Sequence, residues 1–547
     1  MMTWWRHLRG GSADRSREGG YVAVMTALLL MVFIGFAAFA VDVGHWYLVG
    51  QQEQRAADAA AMAGVTYLPG NPTTAFTTAQ NYSTINGFQN GVSDTVVTPA
   101  VDTQPTRLRV TVSQKVSNFF GSLMGVPTTN VARSAVADYA GPVPLGSPCN
   151  EFGSDPDVNG HQSTNCSGEG AFWANVGSLA ATKVSGDAYQ DNVCASGVDG
   201  CTGSTNTDYD PNGYFYTVTV TQAMANLTIQ AFDPALIDVG DLCTTGNLSV
   251  AKNLPYPAKA VVSDPLTRYA DGAASPYCSG DVRYGGTGQV ATQFTVRSPG
   301  PNPWNPLSFL PIGGTCTQTF AGYTGDLSLA LDKTNAAYTS RPDVAANFRQ
   351  WKTLCTIANA QPGTYLVQVK TNGLGSDAAN GHNRFSLRAY GGSSAENDSL
   401  AVAGYDKMAM YGNTPNGTSK FFLARVPSGA KGQTFNVNLF DIGDGAVAGS
   451  TVTVLPPVET VPATFSNCTG VGVQSGALSN CQISVSSSYN GKWQTISVPI
   501  PSTYSCTDAS TTGCWLRLQF FYGTGSSPLD TTSWTASIVG DPVRLVQ

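Results

Sequence analysis

Tyr21 to Val41 (YVAVMTALLLMVFIGFAAFAV) runs for 21 residues without a charged side chain. As a helix rising 1.5 Å per residue it reaches about 31 Å, enough for the ~30 Å hydrocarbon core of a bilayer. No second apolar run approaches that length, so one crossing is expected. Arg6, Arg9, Arg15 and Arg17 precede the run against Asp14 and Glu18, and Asp42 opens its far side. The positive-inside rule then places residues 1–20 in the cytoplasm and the bulk after residue 42 outside the cell membrane. A cleaved signal peptide competes, because Ala38-Phe39-Ala40 has the form of a cleavage site behind a basic stretch. The apolar run exceeds the ~7–15 residues of an ordinary signal core, which favours a retained anchor.

The segment that follows, VDVGHWYLVGQQEQRAADAAAMAG, is built of strong helix formers: Gln51 to Arg55, then Ala56, Ala57, Ala59, Ala60, Ala61 and Ala63. Arg55 and Asp58 sit three apart, where opposite charges support a helix. No proline interrupts Tyr21 to Tyr67, and Leu68-Pro69-Gly70 is a stop signal. One helix from Tyr21 to about Tyr67 is therefore expected, half in lipid and half outside. Its alanines make it thin enough for another backbone to approach closely. That backbone belongs either to a neighbour in an assembly or to the chain's own following domain.

Residues 17–66 resemble the N-terminal domain of TadG-like Flp pilus-assembly proteins. The resemblance is carried by Arg17-Glu18-Gly19, the small-residue-rich span, Val41-Asp42-Val43-Gly44 at its exit, and Gln54-Arg55-Ala56-Ala57-Asp58-Ala59-Ala60-Ala61. It implies a component of the tight-adherence machinery that builds thin pili for surface attachment. Related pilins carry a Glu five residues past the prepilin cleavage point. With Gly20-Tyr21 as that bond, position five is Met25, which argues against pilin-type processing and for an accessory, membrane-anchored role. The partners implied are other pilus-assembly membrane proteins or pseudopilins, together with the lipid bilayer along Tyr21–Val41.

Only 12% of the chain is charged, 59 residues are glycine, and the net charge is −7. This is the profile of a β-rich extracytoplasmic protein, without the basic footprint that nucleic acid requires. All 12 cysteines lie beyond residue 148, and none forms a C-x-x-C pair. Disulfides in an oxidising compartment are expected in preference to zinc. Connectivity does not follow from sequence alone. The short couples Cys149/Cys166, Cys194/Cys201, Cys243/Cys278, Cys316/Cys355, Cys468/Cys481 and Cys506/Cys514 are the pairing that closes the smallest loops.

The fold class expected is α+β, mostly β. Residues 42–140 form the outer helix and a small α+β unit, with a helix at Thr74–Ser83, strands at Thr106–Val112 and Val131–Tyr139, and a helical turn over Asn118–Gly125. Gly141 to Pro148 reads as a linker. Residues 149–391 read as a disulfide-tied β-sandwich region, with a second break conceivable near Pro299 to Pro306. Residues 392–547 read as a jelly-roll-like β-sandwich in which Asp541 to Val546 supplies a strand.

No catalytic, cofactor-binding or metal residue is assigned, and no enzyme is expected. The chain lacks G-x-S-x-G, H-E-x-x-H and P-loop patterns, and among its four histidines (His7, His45, His161, His382) none is near another. Asp208-x-Asp210-x-Asn212-Gly213 has half of a calcium loop, but Thr219 stands where a bidentate Glu is needed, so a polar turn is the expectation. Asp441-Ile442-Gly443-Asp444 is read likewise. Trp493, Trp515 and Trp534 could line a sugar platform, although their alternating strands favour the core. The function expected is a membrane-anchored accessory component of pilus assembly acting by protein–protein contacts. The alternative is a surface adhesin or carbohydrate-binding protein with a glycan partner at its C-terminal β-sandwich.

Overall fold

A computed structural model describes residues 18–68, 71–102, 107–139, 142–154, 161, 163, 172–240, 279–286, 288–375, 377–413, 418–459, 464–507, 510–522, 529–539 and 543–546. The chain forms two compact units. The first comprises residues up to Thr66, Thr73–Asp138 and Val543–Gln547. The second comprises Tyr67–Pro72 and Tyr139–Pro542.

The first unit is organised by α1 (Glu18–Val65), 48 residues and about 72 Å long. As expected, it is uninterrupted from the apolar run through the alanine-rich segment. A second helix, α2 (Pro72–Ile85), starts on proline, whose missing N–H costs nothing in a first turn. It buries Ala75, Ala79 and Ser83 at helical spacing. Strands β1 (Thr95–Val101), β2 (Arg107–Ser117) and β3 (Thr128–Tyr139) form an antiparallel meander, and the final strand, Val543–Leu545, lies beside β3. Leu108, Val110 and Val112 alternate inward on β2, against which α1 packs. Gly64 lets that contact form: a Cβ there would stand 2.5 Å from Leu108 Cδ2 and 2.6 Å from the Ala75 carbonyl oxygen. Gly64→Ala is expected to cost about 2 kcal/mol by overpacking, read as a lowered urea midpoint of the full-length protein in detergent.

The second unit is almost entirely β. Its earlier strands are β4 (Glu151–Phe152), β5 (Trp173–Gly177), β6 (Tyr214–Val220), β7 (Met224–Phe232), β8 (Val282–Gly285), β9 (Ala291–Arg297), β10 (Thr317–Ala321), β11 (Trp351–Ala360), β12 (Gly363–Lys370), β13 (Asn380–Tyr390) and β14 (Leu400–Gly404). The later ones are β15 (Lys407–Asn413), β16 (Thr418–Arg425), β17 (Thr434–Phe440), β18 (Thr451–Leu455), β19 (Cys468–Gly472), β20 (Gly476–Leu478), β21 (Gln482–Ser484), β22 (Trp493–Pro499), β23 (Trp515–Phe521) and β24 (Leu529–Val539).

One long sheet runs β11-β7-β13-β5-β15-β24-β17-β22-β19-β20, with β4 and β8 also on β13. A five-stranded sheet, β10-β9-β12-β6-β14, packs on one half of it through Phe294 and Tyr216, whose rings meet Phe385 of β13 edge-on at 5.2 and 6.0 Å. A four-stranded sheet, β16-β23-β18-β21, packs on the other half. There Val452, Leu516 and Leu518 share one apolar cluster with Val437, Ile496 and Trp534.

The later strands pair as a nested ribbon: β15 with β24, β16 with β23, β17 with β22, β18 with β21 and β19 with β20, all antiparallel. Folding such a ribbon over so that successive pairs alternate between two sheets makes a jelly roll, and the expected jelly-roll-like fold is present. Four of the six disulfides expected are described, each with the predicted pairing: Cys194–Cys201, Cys316–Cys355, Cys468–Cys481 and Cys506–Cys514. Cys149 is disulfide-bonded. Its predicted partner Cys166, and the Cys243/Cys278 couple, lie outside the described residues.

Three expectations about organisation need correction. The segment read as a linker is packed: Leu145 is buried and bridges Gly404 and Ala424, so the chain passes between units at Asp138/Tyr139 instead. Leu145 exchanges both backbone hydrogen bonds with Gly404, while the Gly146 N–H and the Pro144 carbonyl pair with Leu423 and Arg425, so this apolar stretch is held between two strands. Residue 391 is not a boundary in the pairing, because β14 joins β6 and β15 joins β5. The strand at Val543–Leu545 belongs to the small sheet of the first unit, not to the jelly roll.

Candidate functional site

Among the described residues almost nothing covers α1 between Tyr21 and Val41. From Tyr21 to Val41 every position is exposed except the half-buried Ala38, and this stretch gives the one helix among the described residues long and apolar enough to cross a membrane. Burial begins at Asp42 and continues on a single stripe: Gly50, Glu53, Ala56, Ala57, Ala60, Ala61, Gly64 and Val65. These recur every three to four residues, the spacing of one helix face. The stripe lies on the unit's own sheet, with the Gln54 amide donating to the Ser134 carbonyl of β3 at 3.2 Å. Of the two readings of the alanine-rich segment, the contact with the chain's own domain is therefore the one observed. Gly44, Tyr47, Leu48, Gln51, Gln52, Arg55 and Met62 occupy the exposed side.

Asp42 fixes the point where the apolar run ends. Its carboxylate accepts the backbone N–H groups of Phe119 (2.7 Å), Phe120 (3.2 Å) and Gly121 (2.7 Å), in the turn between β2 and β3. Burial raises its pKa, but the three N–H donors and nearby His45 outweigh that and hold it below the ordinary carboxylate value. One turn on, Trp46 Nε1 donates to Asn118 Oδ1 at 2.8 Å, and the His45 ring lies 5.0 Å from that of Phe119. Sequence reading gave Asp42 as the end of the apolar run and as part of the Val41-Asp42-Val43-Gly44 motif, without its contacts. Its partners are 77 to 79 residues away, and no local pattern signals them. Asp42→Ala is expected to speed hydrogen exchange at the amides of Phe119 and Gly121 by at least about tenfold, since each loses a charge-assisted bond.

Elsewhere the candidate groups are committed to structure. Asp208 takes the Lys183 ammonium at 2.6 Å and Asp210 that of Lys407 at 2.6 Å, while Asp210 also accepts the Asn212 N–H. The half calcium loop is thus a polar turn whose carboxylates face cations. Asp441 and Asp444 sit where burial pushes both carboxyls up, Asp441 to about 9. Asp441 is held by the Gly491 N–H. His382 meets Asp191 at 3.0 Å with both side chains fully buried, so the pair does not face solvent. His161 stacks on Tyr390 at 3.9 Å, and His7 lies outside the described residues. Trp515 and Trp534 are in the core, whereas Trp493 is half-buried between Phe440 and Tyr189, 5.0 and 5.9 Å away. Among the described residues no group of three or more His, Cys, Asp or Glu could hold a metal ion.

Comparison with known proteins bears on one of these features. No similar curated protein and no similar solved structure was found. Residues 20–66 match the Tad family model, described as Flp pilus-assembly TadE/G-like, and α1 spans Glu18–Val65. The matched residues and the long helix coincide almost end to end: over residues 20–66 the chain is similar to the TadE/G-like Flp pilus-assembly domain, and α1 is the element that carries the similarity.

Proposed function

We propose that this protein is a membrane-anchored accessory component of Flp pilus assembly, acting by protein–protein contacts and without catalysis. The observation that carries the reading is the coincidence of the TadE/G-like match, residues 20–66, with α1. The arginines before Tyr21 support a cytoplasmic N-terminus, and the disulfides suit a β-rich bulk on the far side of the cell membrane. With the alanine stripe occupied by the unit's own sheet, the membrane-spanning half of α1, small at Ala27, Gly35 and Ala38, is the surface offered to other pilus-assembly membrane proteins or pseudopilins.

Intact mass and N-terminal sequence of the protein from its host's membranes test this. A start at residue 1 or 2 in the membrane fraction supports an anchored component. A start at Tyr21 moves the protein towards the fibre, and a start at Val41 in the medium contradicts the anchor.

A second reading, glycan binding by the jelly roll, is favoured by the half-exposed, tilted pair of Trp493 and Tyr189. It predicts that Trp493→Ala abolishes retention on immobilised glycans, and absence of retention in the parent protein ends it.

A further inference from the structure

The turn between β2 and β3 has an unusual composition for a hairpin tip. Asn118-Phe119-Phe120-Gly121-Ser122-Leu123-Met124-Gly125-Val126-Pro127 has no charge and five large apolar side chains. Phe119, Phe120 and Val126 are exposed, and Leu123 and Met124 are 85% and 84% exposed. Tips of this kind are ordinarily polar, and apolar side chains clustered in water mark an interaction surface. The backbone is nonetheless well defined. Gly121–Met124 form a 3₁₀ turn closed by Gly125 at φ 84°, and Asn118 donates to the Val126 carbonyl and to Thr129 Oγ1 at 2.9 and 3.0 Å. The turn is built to hold its apolar side chains outward.

Its position identifies what covers it. Asp42, at the first buried position after the apolar run, holds the turn by three backbone N–H groups. The tip is therefore fixed beside α1 at the level where the exposed apolar surface of Tyr21–Val41 ends. Trp46 and the exposed Tyr47 stand one turn further, as aromatic residues do at a membrane–water interface. Lys115, exposed on β2, lies three residues before Asn118, about 10 Å along the strand, in reach of anionic headgroups.

We infer that the Phe119–Val126 turn inserts into the boundary between headgroups and acyl chains of the leaflet from which α1 emerges. The first unit then has two footholds in the bilayer: the spanning helix and, pinned to it by Asp42, an apolar wedge. A helix alone is free to tilt and rotate, whereas a helix with a laterally attached wedge holds one depth and one azimuth. It thereby presents a fixed face to neighbouring helices.

The inference rests on the reading that α1 crosses a bilayer, and the experiment separates the two. The full-length oxidised protein is reconstituted in phosphatidylcholine/phosphatidylglycerol vesicles with single nitroxide labels. The labels sit at Met124→Cys, at Phe33→Cys in the span, and at Met62→Cys, about 30 Å beyond Asp42 along α1. Accessibility to oxygen and to a water-soluble nickel complex is then read by EPR. The expected result is that the labels at positions 33 and 124 favour oxygen, with 124 the shallower, while that at 62 favours nickel. Nickel access at 124 equal to that at 62, with 33 in lipid, overturns the wedge and leaves the span standing. A label at 124 shielded from both reagents means that protein covers the turn, and also overturns it. Nickel access at 33 overturns both readings. As a second variant, Asp42→Ala with the label at 124 is expected to broaden the depth distribution without moving the label at 33.

Discussion

Replacing Cys316 and Cys355 together by alanine is expected to lower the stability of the β unit by about 4 kcal/mol, the chain-entropy value for a closed loop of this size. The bond closes 39 residues. Cys316 immediately precedes β10 of the five-stranded sheet, Cys355 lies in β11 at the edge of the long sheet, and both sulfurs are buried. The bridge therefore joins the two layers of the sandwich at one end. Between its ends lie β10 and three helices of five or six residues (Leu327–Leu331, Ala336–Ser340, Pro342–Asn347), too short to persist without tertiary support. Cys468–Cys481 plays the same part at the other end, joining β19 of the long sheet to the approach of β21. Urea unfolding of the double variant beside the parent, both without reductant, measures the effect. A difference below about 1 kcal/mol would mean that packing alone sets the layer contact.

The second large effect is at Glu53. It is the carboxylate on the buried stripe of α1, fully enclosed, and neither oxygen has a hydrogen-bond partner. Burial pushes its pKa from 4.5 up to about 7. The Arg133 guanidinium and the Gln114 amide pull the other way without reaching hydrogen-bond geometry. Arg133 lies one turn away, its guanidinium 2.9 Å from where a Cβ on Gly50 would be.

Because the folded state keeps the proton that the unfolded chain gives up near pH 4.5, folded protein binds more protons between pH 4.5 and 7. Stability then falls as pH rises through that window, by about 3 kcal/mol in all, and stays low above it. Glu53→Gln removes the titration. Its unfolding free energy is expected to fall by about 3 kcal/mol less than the parent's between pH 4.5 and 8, and to be higher than the parent's at pH 8. A parent profile parallel to the variant's would show that the carboxylate is solvated or paired.

Much of the β unit was legible because its strands are long and alternate. Tyr214–Val220, Thr434–Phe440 and Trp493–Pro499 show this alternation over seven residues each. Less legible strands of the jelly roll are Gly-rich or three residues long, such as Cys468–Gly472, where two glycines flank Val471, and Gly476–Leu478, which has no β-branched or aromatic residue. β1 escaped because Pro99 argues against a central strand, and β1 indeed lies at a sheet edge.

Partner choice was less legible than element type. Nothing in Val543–Leu545 says whether it completes the jelly roll or the small sheet. The period of the alanine stripe would be the same against a foreign helix as against β2. The tether from Asp42 to the Phe119 turn is of this non-local kind as well. What sequence did carry was the long apolar helix α1, because an uncharged run of bilayer length and the residues that follow it are local signals.

The central claim, that this protein serves pilus assembly from the membrane, is tested most directly by counting pili in electron micrographs of its host with the gene deleted and restored. The account predicts that deletion removes or sharply reduces Flp pili. The full chain should restore them, and a chain lacking Tyr21–Val41 but exported by a cleaved signal should not. Undiminished piliation in the deletion strain, or full rescue by the unanchored chain, would contradict it.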